Sequence, residues 1–185
     1  MKIEDGTGTG RAAKVEENNR LLTQAAASSE LHENSLKEEQ VYMFSSGEFT
    51  SITTTGTETG CFYVQNDSST KKLILSSIRT CGTQVQKVTF YKNATGGTLI
   101  TDQAPAQSTN LNFTSSNISE STVYVGANAK TVTGGTWFAQ HINQVGHSTI
   151  DTRDALILGK NDSLSVTFEV AVAAEVCVAI EGYLE

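Results

Sequence analysis

Ser163-Leu164-Ser165-Val166-Thr167-Phe168-Glu169-Val170-Ala171-Val172 alternates apolar residues with small or polar ones. A period of two belongs to a β-strand, whose successive side chains point to opposite faces. The stretch therefore places Leu164, Val166, Phe168, Val170 and Val172 on one face. After Ala173-Ala174 the pattern resumes with Val176, Val178 and Ile180, which reads as the second arm of a terminal hairpin.

Further strands are expected upstream, over Cys61–Gln65, Lys72–Thr80, Val85–Tyr91, Thr122–Val125, Thr131–Ile142 and Ala155–Leu158. Asn66-Asp67-Ser68-Ser69, Gly96-Gly97 and Gly159-Lys160-Asn161-Asp162 supply the turns. About ten short strands at spacings of about 8–12 residues suit an antiparallel sandwich. With no long helical pattern between them, parallel βαβ units are disfavoured. The expected fold is all-β: an antiparallel, jelly-roll-like β-sandwich over 41–185. An extended N-terminal arm over 1–40 precedes it, with one short helix as an option. The long segment Asp102–Ser121 reads as a loop and a contact surface.

The arm is a different material. Gly6-Thr7-Gly8-Thr9-Gly10 offers no side chains to pack. Arg11–Val15 and Arg20–Thr23, separated by Glu16-Glu17-Asn18-Asn19, read either as a small hairpin or as one arm pairing with another chain's edge. Ser29–Gln40 has the composition of a short helix but only Leu31 and Leu36 to bury. Such a segment is expected to be stabilised by neighbouring subunits, with Lys14, Val15, Arg20, Leu21 and Leu22 as the assembly contacts.

Composition narrows the functional classes. The 185 residues are 38% hydrophobic and 18% charged, with a net charge of −7 and a pI near 5.0. That balance argues against binding a nucleic-acid backbone or an anionic membrane surface. No apolar run serves as a secretory signal, and none approaches the about 18 residues of a spanning helix. Synthesis in the cytoplasm is the expectation. Five Asn-x-Ser/Thr triplets, the first at Asn66, read as chance in a Ser/Thr-rich chain. Cys61, Cys81 and Cys177 lack zinc-site spacing. They read as buried free thiols, or as the source of a disulfide within the chain or between subunits.

No catalytic set assembles. His32, His141 and His147 are the only histidines. His141 and His147 could share a face, with Asp151 and Asp154 following, but further close ligands are lacking and no metal or cofactor is expected. No GxSxG elbow exposes a serine, and no Lys-Ser/Thr follows the glycine run to make a phosphate cradle. The acidic pairs Glu16/Glu17 and Glu38/Glu39 read as solvated. Trp137 and Phe138 occupy opposite faces of a strand, one for the core and one for a contact, which keeps a carbohydrate- or receptor-binding module as the alternative.

Asp5-Gly6-Thr7-Gly8-Thr9-Gly10, Ala13-Lys14-Val15 and Asn19-Arg20-Leu21 together resemble the N-terminus of small virion proteins of tailed bacteriophages. In that group such an arm precedes a Thr/Ser-rich β-sandwich. Leu156–Leu164 and the final hairpin are similar to the same group. The resemblance implies a structural part of the virion, such as a head decoration, neck, collar or tail accessory protein. Its partners would be itself, as a trimer or higher ring, and other virion proteins. It implies no catalytic residues.

Overall fold

The structure is a computed structural model that describes residues 2–4, 12–14, 40–47, 49–102 and 104–185. It is all-β: two antiparallel sheets pack as a sandwich, with one short helix. The first sheet has the order β11 (Thr136–Asn143), β7 (Gln86–Lys92), β13 (Ser163–Val170), β5 (Thr59–Asn66), β10 (Ser121–Val125), β8 (Ala104–Pro105). The second runs β12 (Gly146–Leu158), β6 (Leu73–Gly82), β14 (Ala174–Leu184), β3 (Val41–Ser45), β9 (Gln107–Asn110). β4 (Thr50–Ile52) continues the line of β3 along β14. From β5 to β6 to β7, and again from β11 through β14, each connection crosses to the other sheet.

β13 lies between β5 and β7. Leu164, Val166, Phe168 and Val170 are buried together with Phe62, Val64, Val88 and Phe90 of those neighbours. The second sheet meets them with Ile78, Val176, Val178 and Ile180. Val172 departs from expectation: β13 ends at Val170, the chain turns, and Val172 is exposed. The alternate face is not solvated either, because Ser163, Ser165 and Thr167 are buried.

Cover for that second face comes partly from α1 (Thr98–Thr101), whose Leu99 is buried against β5. A Cβ on Gly60 of β5 would lie 2.9 Å from Val132 and 3.0 Å from Leu99, so only glycine lets α1 and the Val132 segment sit this close. The Gly96-Gly97 turn opens the helix, with Gly97 at φ 101.

At one end of the sandwich the two expected polar turns are tied together. Asn66 donates to the carbonyls of Lys71 and Leu158, each at 2.9 Å, and Asn93 donates to Asp162 at 2.7 Å. At the other end Cys81 and Cys177 stand directly opposite on β6 and β14 and form a disulfide. The free-thiol reading therefore holds only for Cys61, which is buried and whose thiol is pushed up by burial.

In the arm, β1 (Lys2–Glu4) pairs antiparallel with β2 (Ala12–Lys14), Ile3 opposite Ala13. This partner of Ala12–Lys14 precedes the glycine run, while the partner expected for it, Arg20–Thr23, lies outside the described residues. Three-residue strands carry too little alternation to be read in advance. Val15, Arg20, Leu21, Leu22 and Ser29–Glu39 lie outside the described residues, and Gln40 is not helical.

Two measurements check this framework. Phe168→Ala should cost about 3–5 kcal/mol in denaturant unfolding, whereas Val172→Ala should stay within about 0.5 kcal/mol; equal costs would mean that the register is wrong. Replacing both Cys81 and Cys177 by Ser opens a loop spanning 96 residues and should lower stability by about 2–4 kcal/mol, with reductant producing the same loss in the parent chain alone.

Candidate interaction surfaces

The outer face of the first sheet carries a row of cross-strand neighbours, Tyr124, Tyr63, Ser165, Tyr91 and Trp137. Such a row suggests a platform for stacking a sugar ring. Its geometry closes most of it. Tyr63 and Tyr124 stack on each other at 5.6 Å, and Tyr63 is buried. Tyr91 donates to Glu58 at 2.5 Å. The same carboxylate accepts from Thr89 at 3.0 Å and Thr167 at 3.3 Å, and pairs with Lys87 at 3.6 Å. Burial and the Glu58 hydrogen bond push the Tyr91 phenol up to about 12. Trp137 alone in the row is widely open, at 62% exposure.

The two sheets end side by side at β11 and β12, and both strands are bulged. β11 breaks register between Trp137 and Ala139, and β12 between Asp151 and Leu156, where Arg153 and Asp154 adopt left-handed conformations. Bulges bend an edge strand and re-aim its side chains. Between them lies a groove of about 200 Å³ lined by Ile78, Phe90, Phe138, Ile150, Ala155 and Leu156. Phe138 is half-exposed at the rim while its ring rests 6.3 Å from Phe90. Both members of the Trp137-Phe138 pair thus remain accessible, correcting the expectation that one would fill the core.

At the opposite edge, β9 leads into a loop over 111–120. The segment 102–121, expected to be a loop throughout, contains β8 and β9 and is free of regular structure only in this part. Phe113 is 86% exposed and Ile118 85%. The loop that presents them is held firmly. Tyr42 donates to the Ile118 carbonyl at 3.2 Å, Asn110 to the Asn117 carbonyl at 3.1 Å, and Ser108 and Ser119 share a bond of 2.6 Å. Leu111 donates from its amide to Val41 at 2.8 Å, and Gln40 accepts from the amide of Leu184. The point where the arm meets the sandwich therefore adjoins this loop.

Of the expected assembly residues, only Lys14 is described, on β2 opposite Lys2. The histidines part company: His147 is exposed on β12, while His141 on β11 stacks 5.7 Å from Phe90 with its Nε2 buried and unpartnered. Among the described residues no group of three or more His, Cys, Asp or Glu could hold a metal ion, and no helix is long and apolar enough to cross a membrane. The groove escaped the sequence because a bulge leaves no mark in residue type. The exposed Phe113 and Ile118 could have been noticed as lone apolar residues in an Asn/Ser-rich stretch.

Comparison with known proteins finds no matching family model, no matching curated protein and no matching solved structure.

Burial holds the His141 imidazole below its ordinary value of 6.5. The unfolded chain then takes up the proton first as pH falls, so the stability contribution is full above about 6.5 and is lost below it. Thermal unfolding should show a falling midpoint between about pH 7.5 and about pH 5.5, with a shallower fall in His141→Phe. An unchanged slope in that variant would remove His141 as the cause.

Proposed function

We propose that this chain is a non-enzymatic structural component of a bacteriophage particle, which self-associates and docks on the capsid, neck, collar or tail through its N-terminal arm. The observation that carries the reading is the pairing of two unlike apolar features on opposite edges of one sandwich, with the arm leaving beside one of them. An edge strand normally protects itself with charge, proline or cover. Here β11 and the first part of β12, through Ile150, contain no Asp, Glu, Lys or Arg, the charges of β12 being confined to its bulge at Asp151, Arg153 and Asp154. β11 with the turn after it exposes Trp137, Phe138, Ile142 and Val145. Apolar edge surface of this kind is what a subunit of an assembly presents to its neighbours.

The arm supports the same reading. A two-stranded hairpin of three-residue strands is marginal in water, and among the described residues β1 and β2 pair with each other and with no strand of the main sheets. An anchor that gains its stability on another subunit fits that arrangement. The resemblance of the DGTG, AKV and NRL segments to tailed-phage virion proteins supplies the particle. A trimer or higher ring is the proposed state, with the virion as its location and other virion proteins as partners. The glycan-binding alternative has narrower support, since Trp137 is the one open ring in its row.

Deleting residues 1–23 should leave a folded sandwich with an unchanged thermal transition and abolish incorporation into the particle. Incorporation of the truncated chain at normal occupancy would show that the arm is not the anchor.

A further inference from the structure

Phe113 and Ile118 cannot reach the groove of their own chain. In the second sheet β9 and β12 are the two outermost strands, four steps apart, or about 20 Å at the spacing of paired strands. The loop follows β9, whereas the groove lies along β12. Any contact between the two features is between chains.

Resting on the reading that the chain self-associates, we propose that the loop 111–120 of one copy seats Phe113 and Ile118 in the β11–β12 groove of the next copy. Chemistry matches on the two sides. The groove walls are Ile78, Phe90, Phe138, Ile150, Ala155 and Leu156, and the loop offers two apolar side chains at 85–86% exposure. Charge favours a second copy as the occupant. Each chain carries −7, so like chains repel wherever acidic surface faces acidic surface. The loop from Leu111 to Ser119 and those groove residues contain no charged side chain, and the charges that adjoin the groove are of both signs, Asp151, Arg153 and Asp154 of the β12 bulge.

Preorganisation favours the loop as the inserted element. Bonds from Tyr42 and Asn110 to the carbonyls at 118 and 117, together with the Ser108–Ser119 bond, fix its shape before contact. Less ordering cost is then left for association. Because the two patches differ, the contact is head-to-tail, and such contacts close into rings or continue as filaments. A twofold dimer joined through β11 edges would leave Phe113 and Ile118 in water.

The test uses the full chain and light scattering over a range of concentrations. A loop variant, Phe113→Ser with Ile118→Ser, keeps its groove. A groove variant, Ala155→Trp, keeps its loop, and because Ala155 is exposed at the rim the larger ring fills the groove without entering the core. Each variant alone should associate about tenfold or more weakly than the parent. Their equimolar mixture should form a dimer and stop there, since one loop and one groove remain usable. A second arm adds one cysteine per chain to the buried Cys61 and the Cys81–Cys177 disulfide: chains with Ile118→Cys mixed with chains with Ala155→Cys should give an intermolecular disulfide dimer that neither forms alone.

A parent chain that is monomeric throughout would overturn the self-association reading and this contact with it. Variants that associate like the parent, with no cross-linked dimer in the cysteine mixture, would leave self-association standing and overturn this contact. Loss of association in the groove variant alone would show that something other than the loop occupies the groove, and would overturn the proposal equally.

Discussion

Burying both faces of β5 and β13 is the constraint on which the rest of the molecule depends. One face supplies Phe62, Val64, Leu164, Val166 and Phe168 to the core, which is ordinary for a sandwich. The other would lie open to water in a simple antiparallel sheet, yet Tyr63, Ser163, Ser165 and Thr167 are buried there. Small hydroxyl residues suit such a place, because Ser165 stands in one row between Tyr63 and Tyr91. α1 and Val132 close over Gly60. Glu58 binds the hydroxyls of Thr89, Tyr91 and Thr167 together. Hydrogen bonds to a charged acceptor are worth more than neutral ones, and this carboxylate thereby holds three neighbouring side chains in fixed positions.

That closure decides where the protein can make contacts. With the broad face of the first sheet occupied by its own chain, recognition moves to the edges. The β8–β9 edge is crossed by the chain itself, as Ala106 passes from one sheet to the other and packs on the core. The β11–β12 edge diverges instead, because β11 omits Phe138 and β12 omits Thr152–Ala155 from their ladders. An extra residue on one side only would tilt a strand. Extra residues on both facing edges part the two sheets and leave a groove whose floor is formed by the buried Phe90 and Ile78. Bulges at sheet edges commonly serve to place a site, and here both contribute to the same one.

Much of the sandwich was legible because central strands alternate strongly. β5, β6, β7, β13 and β14 lie where period two and Asn/Gly/Asp turns place them. Edge strands were harder, for a physical reason. β3 and β4 are short, and β9 reads Gln107-Ser108-Thr109-Asn110 with no apolar residue to alternate. The first half of β12, through Ser148, Thr149 and Asp151, is polar enough to pass for a loop. Val172 shows the opposite error: the alternation continues past the strand's end, because the chain turns where a local pattern has nothing to signal it. The pairing of Cys81 with Cys177 depends on the register of β6 against β14, which no single strand encodes. Within the arm, β2 lies inside the expected segment Arg11–Val15, but its partner Lys2–Glu4 was not identified.

The same division between central and edge elements bears on how the proposed assembly would be built from this chain. β5 and β13, buried on both faces, gain nothing from a neighbour and keep the monomer folded. The edges hold the surface that gains from being covered: a groove on one side, and on the other a fixed loop beside the root of the arm. Separating these roles would let the proposed subunit fold first and associate afterwards, since no described core strand waits for a partner chain. It also gives the contact a direction. A loop and a groove on opposite edges are not self-complementary, so the angle between them, set by the twist accumulated across the sheet, determines whether successive copies return to the first. In the proposed ring, a change in that twist would alter copy number without altering a single contact residue, which would make sheet geometry, more than interface chemistry, the physical determinant of ring size.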